Sequence, residues 1–170
     1  MYTSDAMACR GVLFAITDHK ISKLEAAQGD DEGMNVVQME IEQPWDETWL
    51  YQLDKTWDAI HRCVTDGRIG FTNGEFPIGP CILGGSQLHR GENHIVALKT
   101  PREATEIALA LRNFDRARFR ERYNSLDPAD YGRNHDQQDL EYSWEYFSGL
   151  ADFYARAAQA SRHVVFTVDQ

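Results

Sequence analysis

From Asp139 onward, Leu140, Trp144, Phe147, Ala151, Tyr154 and Ala158 recur at steps of four and three. This predicts one amphipathic helix of about 20 residues, roughly 30 Å long. Shorter apolar, partly β-branched runs mark strands at Cys9 to Thr17, His94 to Lys99 and His163 to Val168. Asp18 to Ala27 reads as a short helix opening at Thr17 or Asp18, and Gly29 to Gly33 as an acidic turn. Residues 34–42 carry two periods at once. Val37, Met39 and Ile41 alternate with Gln38, Glu40 and Glu42, yet Val37 and Ile41 also have helical spacing, so helix and strand both stand. Pro44 with Asp46 and Glu47 behind it predicts a helix start. Trp45, Trp49, Leu53, Trp57 and His61 then follow at intervals of four, to about Thr65, with a break possible at Asp54, a good N-cap residue.

Residues 67–91 hold seven of the twelve glycines and two of the five prolines, so a long irregular segment is expected there. Thr100-Pro101-Arg102-Glu103 supplies an N-cap, a proline at the first helical position and a capping-box glutamate for a helix reaching about Asn113. Asp115 to Tyr123 is a second helical segment, and Asp127 to Gln138 is polar and turn-rich. No repeat or linker divides the chain. The expectation is a single domain, residues 1–170, of the α+β class: a small mixed or antiparallel sheet of N-terminal, central and C-terminal strands, covered by several α-helices.

Charge narrows the partners. With 27 Asp and Glu against 17 Lys and Arg the formal charge is −10, which disfavours nucleic acid or an anionic membrane as main partner. The longest stretch without a charged residue, Phe76 to His89, is too short and too rich in glycine and proline to span a bilayer. No leader pattern is evident, so Met1 is read as the start of the mature chain. Cys9, Cys63 and Cys81, odd in number and widely spaced, do not form a disulfide framework, and a cytoplasmic location is expected. The acids are unevenly spread: residues 1–50 carry net −7 and residues 127–145 net −5, with five arginines from Arg112 to Arg122 between them.

Few residues point to chemistry. His61, beside Trp57 and Asp58, has the surroundings of a general base, though a packed, once-bonded histidine is the simpler reading. His61, Cys63, Cys81, His89 and His94 are ligand types without metal-site spacing, so neither a metal nor another cofactor is expected. The stretch Gly79 to Gly85 lacks the lysine and hydroxyl residue of a phosphate loop; Gly84 and Gly85 are better explained by a turn needing positive φ. Nothing marks Cys81 as an activated thiol. The arginine run is read as a solvated face pairing with the acids that follow it.

Three strings gain meaning together: DKTWDAIHRCVTDG (54–67), PIGPCILGG (77–85), and the aromatic helix from Trp144 to Tyr154 followed by FTVDQ. They resemble the YfbM-like family, a bacterial domain of unknown function, in order over nearly the whole chain. Asp54, Lys55, Trp57, His61, Thr65, Ile82, Leu83, Gly84 and Gly85 match its pattern. The resemblance implies a bacterial, cytoplasmic α+β domain and carries no catalytic assignment.

Two functions are weighed. The first is an acidic intracellular protein-binding module for a basic protein partner, such as an immunity-type inhibitor of a toxin, with Asp30, Asp31, Glu32, Glu40, Glu42, Asp46 and Glu47 as its surface. The alternative is a small hydrolase or ligand-binding enzyme using His61, oriented by Asp58 or Asp54, near the 76–91 loop, with Trp57, Gly84 and Gly85 contributing. Catalysis ranks second because no reactive motif stands out. Self-association through the aromatic helices, giving a homo-oligomer, is a third possibility.

Overall fold

The computed structural model describes residues 9–89 and 94–169. Its centre is an antiparallel sheet of five strands among the described residues, in the order β2-β1-β5-β4-β3. These are β1 (Gly11–Ile16), β2 (Leu50–Asp54), β3 (Ser86–His89), β4 (His94–Lys99) and β5 (His163–Asp169). The last strand therefore occupies the middle, with Phe14 opposite Val165 on one side and Ala97 opposite Phe166 on the other.

Strand side chains point alternately to the two faces, and here both faces are covered. Leu13, Ala15, Leu53, Ala97, Val164, Phe166 and Val168 join the larger core. That core is completed by α3 (Trp57–Val64), α4 (Pro101–Arg112), α5 (Arg116–Asn124), α6 (Pro128–Tyr131), α7 (Gln137–Ser148) and α8 (Leu150–Gln159). Phe14, Ile16, Val96, Leu98 and Val165 face the other way. They are covered by a thinner layer: α1 (Asp18–Ala26), α2 (Asp30–Val36) and a π-helical turn, Val37–Glu42. Burial on both faces explains why these strands read as continuous apolar runs rather than as alternation.

The α+β class and the antiparallel sheet covered by helices agree with expectation; several elements do not. Residues 44–54 are not helical throughout: a short 3-10 turn, Glu47–Trp49, leads into β2. Trp49, Tyr51 and Leu53 pack on the larger core while Leu50 packs on the smaller. A step of four is also two strand periods, so the stripe from Trp49 to Leu53 fitted both. The break at Asp54 is present, but Thr56, not Asp54, precedes α3. Gly29–Gly33 is not a turn; Gly29, at φ 84°, opens α2. Residues 34–42 are helical, and Val37 and Ile41, four apart, are their buried pair. Strand β3 lies inside the stretch expected to be irregular, and the polar 127–138 segment contains α6. The long helix after Asp139 is two, α7 and α8, broken at Gly149. A Cβ there would run into the Tyr51 hydroxyl, which donates to the Tyr146 carbonyl. The capping box Thr100/Glu103 forms as read; Asp115 precedes the next helix as its cap, accepting from the Arg118 amide at 2.8 Å.

Gly85, at φ 77°, sits where a Cβ would strike the Leu98 carbonyl oxygen, whereas Gly29, also at positive φ, faces open space. Both Gly85→Ala and Gly29→Ala are expected to lower the unfolding free energy by about 1–3 kcal/mol for a positive-φ backbone, and Gly85→Ala by more, since only there does the Cβ also meet a carbonyl oxygen. Urea denaturation of the two variants checks the difference.

Candidate functional site

The turn between β2 and α3 carries the first of the diagnostic strings. Asp54 adopts φ 48°, a conformation that Asp tolerates better than most residues. Its carboxylate accepts from the Tyr142 hydroxyl and pairs with Arg10 at 3.2 Å. Buried Thr56 bonds back to the Leu53 carbonyl at 2.5 Å, and Trp57 donates its indole N–H to the Cys9 carbonyl at 3.1 Å. The Lys55 carbonyl accepts from Arg133 at 2.6 Å. Arg133 also meets Asp139 at 3.3 Å, and Asp139 accepts from both Tyr123 and Tyr131 at 2.6 Å. Between this turn and the start of α7 lies an open cleft of about 640 Å³, walled by Lys55, Arg133, Asn134, Asp136, Gln138 and Tyr142 among others.

His61 lies one helical turn beyond Trp57 and is fully buried. Its Nε2–H donates to Asn73 Oδ1 at 2.9 Å, and Thr65 Oγ1 donates to the His61 carbonyl at 2.7 Å. Burial lowers the ring's pKa, against the smaller opposing effect of the Asn73 hydrogen bond, so the imidazole is neutral near pH 7. The structure does not bring Asp58 to His61. Asp58 binds Arg62 at 2.6 Å, and Arg62 reaches on to Asp130 at 2.6 Å. Burial raises the Asp58 pKa even though Arg62 pulls it down. Asp54 is committed to Tyr142 and Arg10, so neither carboxylate orients the histidine. Asn73, the true partner, sits in the glycine-rich segment with no period to mark it.

The Gly84–Gly85 turn is pinned from below. Lys99, fully buried at the end of β4, donates its ammonium to the Ile82 carbonyl, and the Tyr154 hydroxyl donates to the Cys81 carbonyl at 2.5 Å. Burial drives the Lys99 pKa down to about 7 and the Cys81 thiol up to about 12, which leaves Cys81 a small inert hydrophobe. Lys99 closes an apolar run as a polar strand end would, and only the fold shows it inside.

The arginine cluster disperses into contacts. Arg122 donates to the Cys63 and Thr65 carbonyls at the end of α3, as a cation there should. Arg116 and Arg120 pair with Glu141, and Arg112 with Asp152.

Asp30, Asp31, Glu32, Glu40 and Glu42 lie on α2 and the π-helical turn, across the sheet from Trp57, while Asp46 and Glu47 lie at the 3-10 turn that leads into β2. Asp30, Asp31 and Glu32 are exposed on the first turn of α2. Glu40 pairs with Lys23 at 3.0 Å, which lowers its pKa; Glu42 is half-buried; Asp46 caps the 3-10 turn through the Thr48 amide; Glu47 is exposed. Two large apolar side chains stand among them, Met39 at 54% exposure and Trp45 at 39%. Trp45 is held at φ 46° with its ring edge-on to Phe14. No helix among the described residues is long and apolar enough to cross a membrane, and no group of three ligand residues suited to a metal occurs among them.

Residues 7–167 match a family model described as a domain of unknown function, DUF1877. The fold is similar to the crystal structure of a protein of unknown function, YfbM from Escherichia coli, with TM-score 0.69 and 19% identity over 95% of this chain and 99% of that one. A comparison with curated proteins finds no match.

The depressed Lys99 pKa sets a pH dependence. The unfolded lysine, with its ordinary pKa of 10.5, holds its proton through the range in which the folded one, at about 7, has lost it. Stability should therefore rise from pH 7 toward 10.5, with a limiting slope of about 1.4 kcal/mol per pH unit, and the burial penalty is full below 7. In Lys99→Met this rise should disappear, as measured by urea denaturation at pH 6.5, 8 and 9.5.

Proposed function

The chain belongs to the DUF1877 family, a domain of unknown function, and from that premise we propose that it is a protein-binding module that receives a basic partner on the outer surface of its thin layer. The observation that carries this reading is the exposure of Met39 and Trp45 inside a segment, residues 28–47, with seven acids and no Lys or Arg. Exposed tryptophan is a frequent interface anchor, and a rim of one charge sign steers an oppositely charged partner into register. Pairing with Lys23 and capping by Asp46 use up only part of the charge. Asp31 and Glu47 are exposed and free of ion pairs among the described residues.

A basic toxin held by an immunity-type inhibitor is the partner class this charge suits best. An enzyme using His61 has less support. The ring is sealed from solvent, and neither carboxylate named for it makes contact.

The reading is tested by capturing partners from native lysate on the immobilised protein, purifying the basic protein retained, and measuring the binary kinetics. Neutralising Asp30, Asp31 and Glu32 to Asn, Asn and Gln should slow association by about tenfold and flatten its salt dependence. Trp45→Ala should speed dissociation by about 30-fold, a loss of about 2 kcal/mol. Unchanged rates in both variants, or association indifferent to salt, would contradict the proposal.

A further inference from the structure

The cleft on the other face of the sheet has a lining unlike that of a structural crevice. Its named walls are Lys55, Arg133, Asn134, Asp136, Gln138 and Tyr142; Gly132 and Asp139 complete it, so no aliphatic side chain lines it. Its volume, about 640 Å³, is in the range of small-molecule sites.

Most of these charges are already answered. Asp139 takes two tyrosine hydroxyls and Arg133, and Asp136 accepts from the Asp139 amide at 2.9 Å as the cap of α7. Tyr142 is bound to Asp54, and Arg133 spends one N–H on the Lys55 carbonyl and one on Asp139. Those bonds fix the wall before anything arrives, which lowers the ordering cost of binding. Two sources of positive charge are left over, and against them only Asp136, which caps a backbone amide but forms no ion pair among the described residues, keeps an unanswered negative charge on the lining. Lys55 forms no ion pair among the described residues, and the guanidinium of Arg133 has N–H groups beyond the two it uses. The amides of Asn134 and Gln138 stand beside them and offer donors and acceptors.

We propose that this cleft binds a small, polar, singly or doubly charged anion, a carboxylate or phosphate, with Lys55 and the free edge of Arg133 on the anionic group and Asn134 and Gln138 on its polar remainder. Charge-assisted bonds of this kind are the strong ones, and a wall without Leu, Ile, Val, Met or Phe offers a lipid tail no apolar bed. The inference is independent of the docking surface across the sheet, since it uses none of residues 28–47.

Amide chemical shifts of the full chain, titrated with succinate, inorganic phosphate and glucose, test it. Saturable shifts centred on residues 55, 133, 134 and 138 are expected with succinate or phosphate, and the arm that saturates first identifies the anion. Lys55→Gln, at a half-exposed position whose side chain has no partner, should keep its thermal midpoint and raise the Kd about tenfold. Absence of saturable shifts with both anions, equal shifts with glucose, or an unchanged Kd in the variant would overturn the proposal.

Discussion

The insertion of β5 between β1 and β4 is the constraint on which everything else rests. Strands β1 and β4 do not pair with each other; β1 pairs with β2 and β4 with β3, and the two pairs are joined only through β5. Val164 to Val168 are buried, alternating Val164, Phe166 and Val168 toward the helices with Val165 toward the thin layer. The two halves of the sheet, β2-β1 and β4-β3, are therefore joined through one strand that is distant in sequence from both, a slow non-local pairing.

The sheet as a whole divides the molecule into unequal halves. Toward the helices lie the aromatic contacts among Phe114, Phe119, Trp144 and Phe147, the Asp139 tyrosine network and the Arg62 bridge between α3 and Asp130. Toward the thin layer α2 has no buried residue, and only Val37 and Ile41 anchor the π-helical turn. A surface held by so few apolar contacts is free to carry charge and an exposed tryptophan without cost to the main core. Function proposed on the thin side and ligand binding proposed on the thick side thus use different physical resources: steering charge and an anchor in one case, a rigid prepaired wall in the other.

What was legible in the chain was local. The Thr100/Glu103 capping box and the β-branched runs at β1 and β5 each declare themselves within a few residues. The errors share a cause. Trp49, Tyr51 and Leu53 fit a helix and a strand equally until a neighbouring strand is present to choose, and the α7–α8 stripe stays in phase across Gly149 because a one-residue break barely disturbs the face. Of the first diagnostic string, Lys55 lines the cleft and Asp54 bonds to Tyr142 on its wall, whereas Trp57 and His61 are buried in α3 away from it. Its partners, Arg133, Asn134, Tyr142 and Asn73, come from distant segments with no periodic signal, and the burial of Lys99 depends on the Ile82 carbonyl arriving above it.

The acidic layer is a locally weak surface laid on a core closed by β5. Native-state hydrogen exchange of the isolated protein measures this most directly. Amides of residues 33–43 should exchange through openings well below the global unfolding free energy, while those of β1, β4 and β5 exchange only with global unfolding. If residues 33–43 open at the same free energy as β5, the layer is part of the cooperative core and the division is wrong.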